Sequence, residues 1–171
     1  MKLAPYPMIE LDLSAPLDRH RTTVKPDWID WNGHMNVGYY VVAFDQATDT
    51  LCQQFACGFE YTRDKIGMTF VLEAHVTYDR EVKEGDELRV TTQILDHDAK
   101  RLHYIHAMYH AGEGYLAATN ELMLMNIDYA SRRSAAWPDF AMERIERMAA
   151  AHASLPRPKQ AGRLIGIKKK K

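Results

Sequence analysis

Three side chains that could take part in hydrolysis occupy alternate positions in the segment "DWNGHMNVGYY", residues 30–40. They are Asp30, Asn32 and His34, and they precede a helix that the sequence pattern predicts from Val37. Unpaired amides and the helix dipole favour negative charge at a helix N-terminus. A carboxylate placed there could attack a carbonyl carbon or deprotonate a water molecule, and the amides would stabilise the oxyanion. The segment therefore predicts an acyl-hydrolysis site, with Asp30 as base or nucleophile and Asn32 and His34 in support.

The same residue types also suit an ordinary entry into a helix. Asn36 can cap the first free amides, and Gly33 can form a turn. Spacing by itself favours this local interpretation, because capping residues are commoner than active sites.

A long amphipathic helix is predicted immediately after these residues. It would lie between the cap at Asn36 and a terminating Gly58, about 20 residues or roughly 30 Å. A helix of this length needs a large partner surface to cover its apolar side. The apolar positions follow the i, i+3, i+4, i+7 spacing and are Val37, Tyr40, Val41, Phe44, Thr48, Leu51 and Phe55.

Strand patterns on both sides of the helix supply that surface. Residues 20–26 predict a short strand that ends at Pro26, and residues 68–82 alternate with a period of two, which predicts a long half-buried strand. Further strands follow, separated by turn signals at 84–86, 96–98 and 112–114. Short connections predict that these strands are antiparallel neighbours in chain order.

The predicted fold class is α+β, with a five-stranded antiparallel sheet wrapped round the long central helix, the arrangement called the hot-dog fold. We expect an extended N-terminal arm at 1–18, the main domain at 19–137, and a C-terminal helix with a basic tail at 138–171. In that helix Phe140, Ile145, Met148 and Ala149 are expected to face the protein.

Composition restricts the classes of function. The chain has 171 residues, 46% of them apolar, and 22 basic against 23 acidic residues. A balance this close to neutral gives no reason to expect a nucleic-acid or membrane partner. Cys52 and Cys57 are expected to be reduced packing residues, and we predict a cytoplasmic protein. The run Lys168–Lys171 is expected to be a solvated tail.

Histidines raise the alternative of a metal site. His103, His106 and His110 are close in sequence, and His75 and His97 are near them. On a strand, however, His106 and His110 share one face while His103 points to the other. We therefore predict no metal.

The loop motif resembles that of a known enzyme family. "DWNG" is similar to the catalytic loop of the hot-dog 4-hydroxybenzoyl-CoA thioesterase-like enzymes. The pattern D-x-N-x-H-x-x-N of plant acyl-carrier-protein thioesterases is matched at Asp30, Asn32 and His34, while Val37 replaces its last asparagine. The resemblance covers about residues 20–130 and implies an acyl-CoA thioesterase.

A closer resemblance adds an expected substrate. The segments "DWIDWNGHMN", "YYVVAFDQATDTL" and "AAAHASLPRP" resemble the thioesterases of bacterial carnitine breakdown. That resemblance implies hydrolysis of betainyl-CoA to glycine betaine and CoA, with no cofactor apart from the CoA of the substrate. It also implies a homodimer or homotetramer whose sheets join edge to edge.

A trimethylammonium head group needs aromatic faces and a nearby anion rather than hydrogen bonds. Trp31, between Asp30 and Asn32, is the best candidate for such a contact. The predicted substrate-binding residues are Trp31, Gly33, Met35, Asn36, Tyr39 and Glu73.

Two alternatives remain open at this point. One is a hot-dog (R)-specific enoyl-CoA hydratase, whose motif D-x-N-P-x-H differs here in the missing proline and the closer histidine. The other is a non-catalytic acyl- or betaine-binding module, which would keep a pocket but need no base.

Overall fold

A computed structural model describes residues 4–167 of the chain, so the predicted tail Lys168–Lys171 lies outside the described residues. Five strands form one antiparallel sheet in the order β1-β3-β4-β5-β2, which confirms the predicted fold class. The strands are β1 Leu17–Thr23, β2 Gly67–Tyr78, β3 Glu87–His97, β4 Arg101–His110 and β5 Leu116–Asp128. The helices are α1 Val37–Gln54, α2 Phe59–Arg63 and α3 Asp139–His152, with a 3-10 turn at Pro26–Trp28.

The connection from β2 to β3 differs from the prediction. β2 pairs with β5 at one edge of the sheet, whereas β3 pairs with β1 and β4. Expecting neighbours in chain order was therefore wrong for this pair, because residues 79–86 form a crossover rather than a hairpin turn. The crossover is fixed by backbone hydrogen bonds from Met35 N to Val82 O at 2.9 Å and from Val24 N to Asp86 O at 3.0 Å. It runs beside the entry to α1.

The predicted central helix is present, and Asn36 caps it as expected. The Asn36 side chain accepts a hydrogen bond from Gly38 N at 2.9 Å. The predicted end is different: Ala56, with φ 56°, adopts the left-handed conformation after the last turn. Gly58 instead precedes α2. The helix therefore ends at Gln54, four residues before the glycine that the sequence offered as its terminator.

The buried face of α1 is rotated from the predicted stripe. Val37 and Val41 are exposed, while Ala43 and Ala47 are buried with Phe44. The alanines lie on the face that packs against the sheet, where small side chains allow close approach. The valines are more hydrophobic than the alanines, so the sequence pattern predicts that the valines are buried. Hydrophobicity does not show which small side chains pack against the sheet.

The middle of β2 is exposed, which also corrects the prediction of a half-buried strand. Phe70, Val71 and Leu72 are all exposed in the single chain. Among residues 4–167, β2 pairs on one side only, with β5. β2 is therefore an edge strand with exposed apolar side chains.

The N-terminal segment packs against the end of α1 and against α3. The Tyr6 hydroxyl donates to Ala56 O, and the amide of Asp12 donates to Gln54 Oε1 at 2.9 Å. From α3, Arg144 Nη2 donates to Ile9 O at 2.7 Å. Phe140, Ile145 and Met148 of α3 are buried as expected.

Candidate active site

The loop before α1 is a tight, closed turn. Asn36 N donates to Trp28 O at 2.9 Å, and Gly33 N donates to Asp30 O at 3.0 Å. Gly33 has φ +81°, a conformation that glycine adopts without a steric cost. The loop geometry therefore fixes the position of the Asp30 backbone.

The Asp30 carboxylate is held by the loop and is largely shielded from solvent. Its Oδ1 accepts from the amide of Asn32 at 2.8 Å, and Asn32 Nδ2 lies 3.5 Å from its Oδ2. His34 Nδ1 lies 4.0 Å from Oδ1, and the Asp30 side chain is 18% exposed. These contacts orient the carboxylate without neutralising it by a lysine or arginine.

A cavity of about 320 Å³ adjoins this carboxylate. Its first wall is the loop and the start of α1, and its second wall is the end of β2 and the crossover. The crossover approaches the loop because Met35 N is hydrogen-bonded to Val82 O. The lining residues are Asp30, His34, Met35, Val37, Tyr40, Tyr78, Asp79, Arg80 and Glu81.

The N-terminus of α1 opens onto the same cavity. Asn36 takes up two of the first amides: its Oδ1 accepts from Gly38 N, and its backbone oxygen accepts from Tyr39 N at 3.0 Å. Val37 lines the cavity, and within residues 4–167 its amide has no hydrogen-bond acceptor. This amide and the helix dipole can stabilise negative charge at that end of the cavity.

The structure brings some of the predicted site residues together and separates others. Asp30, His34 and Met35 line the cavity, and Asn32 and Gly33 shape the loop. Asn36 serves as the helix cap.

Three predicted substrate contacts lie away from this cavity in the single chain. Trp31 is 97% exposed at the tip of the loop. Tyr39 stacks on Trp28 with ring centroids 5.5 Å apart. Glu73 lines a different cavity, of about 290 Å³, together with His103 and other residues.

Sequence reasoning missed the second wall of the cavity. The alternating pattern places Tyr78 and Asp79 in the predicted strand 68–82, with Arg80 and Glu81 as its continuation. The signal that could have identified them is the charged run 79–81, which interrupts the alternation of the strand. Charged residues in succession fit a loop better than a half-buried strand.

The histidines occupy separate environments. His106 is fully buried, with Nδ1 2.8 Å from Thr92 Oγ1 and Nε2 3.0 Å from Thr48 Oγ1. His103 Nε2 lies 2.8 Å from Glu121 Oε1. Within residues 4–167, no group of three or more His, Cys, Asp or Glu side chains is arranged to hold a metal ion.

Two further findings concern the cysteines and the helices. Cys52 and Cys57 are buried free thiols, and burial raises the pKa of Cys52 to about 12. None of the helices between residues 4 and 167 has the length and apolarity needed to cross a membrane. The cytoplasmic location stays a prediction.

Comparison with known proteins relates this geometry to one family. A profile described as the thioesterase-like superfamily matches residues 24–145. A betainyl-CoA thioesterase from Pseudomonas aeruginosa is 40% identical over 156 residues, which are 91% of this chain and 98% of that protein. A fused L-carnitine dehydrogenase/betainyl-CoA thioesterase from Rhizobium meliloti is 33% identical over 95% of this chain, which spans 33% of the fused protein.

Solved structures agree with these sequence matches. A Staphylococcus aureus protein in complex with CoA has a TM-score of 0.82 at 31% identity, covering 91% of this chain and 99% of that one. A 1,4-dihydroxy-2-naphthoyl-CoA thioesterase from Synechocystis has a TM-score of 0.64 at 16% identity, covering 81% and 97%, and shows a likeness of fold alone. The predicted thioesterase family and hot-dog fold are confirmed. This chain belongs to the thioesterase-like superfamily.

Proposed function

We propose that this chain hydrolyses the thioester bond of a short acyl-CoA, and that betainyl-CoA is its substrate, giving glycine betaine and CoA. The observation that carries the proposal is the Asp30 carboxylate, 18% exposed, at a cavity of about 320 Å³ beside the N-terminus of α1. A cavity at the small end of the range for ligand pockets suits a short acyl group. The 40% identity to the Pseudomonas aeruginosa betainyl-CoA thioesterase supports the choice of that group.

In the proposed reaction, water or the Asp30 carboxylate adds to the thioester carbonyl carbon. As a base, Asp30 takes a proton from the attacking water; as a nucleophile, it forms an anhydride that water then cleaves. Both routes place negative charge on the carbonyl oxygen, which the Val37 amide and the helix N-terminus stabilise. The carbon–sulfur bond breaks when the oxyanion collapses, the CoA sulfur takes up a proton, and the carboxylate product leaves.

Neighbouring residues assist Asp30 in this scheme. The amide of Asn32 holds Oδ1, and His34, 4.0 Å from the same oxygen, positions the attacking water. The scheme uses no metal or prosthetic group, and CoA takes part as a portion of the substrate.

The proposal includes self-association, as a homodimer or homotetramer. Support comes from the open edge of β2, where Phe70, Val71 and Leu72 are exposed. An apolar edge strand is a template for pairing with another chain.

The test offers the purified protein a panel of CoA esters with a thiol-trapping dye. We expect thiol release from betainyl-CoA, and at least ~100-fold lower turnover by Asp30→Asn with an unchanged circular dichroism spectrum. Asp27→Asn is the matched control, because Asp27 is a nearby exposed aspartate that does not line the cavity.

Other outcomes would contradict the proposal. Near-normal turnover by Asp30→Asn would show that Asp30 forms the turn and takes no part in catalysis. Loss of the enoyl absorbance of an enoyl-CoA without thiol release would indicate a hydratase, and tight binding without either reaction would indicate a binding module. Once hydrolysis is established, a single turnover in heavy-oxygen water tests for the nucleophilic role of Asp30. If Asp30 acts as a base, the heavy oxygen appears in the product alone. If Asp30 acts as a nucleophile and water attacks the anhydride at the Asp30 carboxyl carbon, the heavy oxygen appears in Asp30.

A further inference from the structure

The second wall of the active-site cavity carries aromatic and acidic side chains that the proposed reaction does not use. They lie at the end of β2 and the start of the crossover, together with one residue of α1. The residues are Tyr40, Tyr78, Asp79 and Glu81. Because they share a cavity with Asp30, they are placed to contact the acyl group whose carbonyl carbon Asp30 approaches.

The two tyrosines form an ordered pair. Their ring centroids are 5.2 Å apart with an interplanar angle of 83°, an edge-to-face arrangement. Tyr40 is buried, whereas Tyr78 is 47% exposed. The Tyr78 hydroxyl donates to Val37 O at 3.4 Å. Tyr40 and Val37 therefore hold the Tyr78 ring in place, and Tyr78 supplies the aromatic surface that a ligand can reach.

The charges of this wall are unequally compensated. Glu81 Oε1 lies 3.6 Å from Lys83 Nζ, so this carboxylate already has a cation beside it. The Arg80 guanidinium is stacked over the Tyr115 ring, 3.6 Å from its centroid. Asp79 has a weak contact with the Thr77 hydroxyl at 3.4 Å.

No lysine, arginine or histidine between residues 4 and 167 forms an ion pair with Asp79. Asp79 is adjacent in sequence to Tyr78, and both line the cavity. An aromatic ring and a carboxylate without an ion-pair partner that line one cavity are a combination that attracts a cation lacking hydrogen-bond donors.

We propose that Tyr78 and Asp79 form the subsite for the acyl head group and select a quaternary ammonium over a neutral group of the same shape. This inference rests on the proposed thioesterase function, since the head group reaches the subsite only when the thioester lies against Asp30. The ring face of Tyr78 contacts the methyl groups, and Asp79 supplies the counter-charge. The exposed Trp31 then has no part in recognising the head group within the same chain.

The experiment compares betainyl-CoA with tert-butylacetyl-CoA, its isostere in which carbon replaces the quaternary nitrogen. The two thioesters differ in intrinsic reactivity, so the measured quantity is the change that each variant makes in the ratio of their kcat/KM values. We expect Asp79→Asn and Tyr78→Leu each to lower this ratio about tenfold. Tyr78→Phe, which keeps the ring, should hold the ratio within about threefold of wild type.

Glu84→Gln is the control for loss of one negative charge, because Glu84 is exposed and does not line the cavity. Unchanged ratios in both Asp79→Asn and Tyr78→Leu, with betainyl-CoA still hydrolysed by the wild type, would overturn the subsite and leave the proposed function standing. Absence of betainyl-CoA hydrolysis by the wild type would overturn the proposed function and the subsite with it. Because Asp79 is exposed, Asp79→Asn tests the subsite even if Tyr78→Leu does not fold.

Discussion

Asp30 combines the two interpretations that its sequence context allows. Its Oδ1 accepts from the amide of Asn32 at 2.8 Å, which is the hydrogen bond of a local turn. The same side chain lines the cavity at the N-terminus of α1. Turn formation therefore does not compete with the proposed chemistry, because the turn is what orients the carboxylate. Asn36, in contrast, is fully accounted for by capping.

His106 is the residue for which the structure predicts a pH dependence. Burial lowers its pKa to about 3, and its two ring nitrogens lie beside the hydroxyls of Thr92 and Thr48. Between this value and the ordinary histidine pKa of about 6.5, the unfolded chain binds a proton that the folded chain excludes. The free energy of unfolding therefore rises with pH in that window, by up to about 1.4 kcal/mol per pH unit from this group.

The measurement is urea unfolding at several pH values between about 5 and 7. We expect His106→Asn to have a slope of unfolding free energy against pH that is smaller by about 1 kcal/mol per unit near pH 5 to 6. His20 and His152, whose pKa values burial also lowers, leave some slope in the variant. Parallel curves for the two proteins would contradict the assignment to His106.

At the scale of elements, the crossover at 79–86 is the connection that creates the site. A hairpin between β2 and β3 would have joined two neighbouring strands by a tight turn and would not have reached the entry to α1. Instead β2 lies beside β5, and the chain passes the entry to α1 before β3 begins. The end of β2 and the Asp30 loop thereby form two walls of one cavity.

The arm and α3 are joined through Arg144, which gives a second prediction. Its Nε donates to Gln54 O at the end of α1, and its Nη2 donates to Ile9 O at 2.7 Å. Arg144→Met would leave both carbonyl oxygens without these charged donors. We expect the free energy of unfolding to fall by about 2 kcal/mol, the scale of hydrogen bonds to charged groups.

Urea unfolding measures this loss, and limited proteolysis under native conditions reports on the arm. We expect new cleavage between residues 4 and 16 in Arg144→Met, because the arm loses its tether at Ile9. Arg147→Met is the matched control, since Arg147 is an exposed arginine on the same helix. Equal protease resistance in the two variants would refute a tethering role for Arg144.

At the scale of the whole molecule, the open edge of β2 predicts an effect on assembly. If chains associate along this edge, Val71→Lys places a charge on an exposed apolar position of this edge strand. We expect the assembly to dissociate at micromolar concentrations, as measured by sedimentation velocity. Thr62→Lys, an exposed position on α2, should sediment like the wild type. A wild-type protein that sediments as a monomer would exclude association along this edge.

The sequence by itself determined the elements and the family. Period-two and helical spacing located the five strands and α1, and the motif at Asp30, Asn32 and His34 indicated a thioesterase. These features are local, because residue type and spacing act within one segment of chain.

Only the tertiary structure decided which strands pair, which face of α1 is buried and what completes the cavity. Tyr78 and Asp79 lie 48 and 49 residues after Asp30 in the sequence, and their proximity depends on the placement of β2 at the sheet edge. The same placement exposes Phe70 and Val71 despite their apolar character. The order of the strands depends on the free energy of pairing between segments that are far apart in the sequence. The pattern within one segment does not determine that free energy.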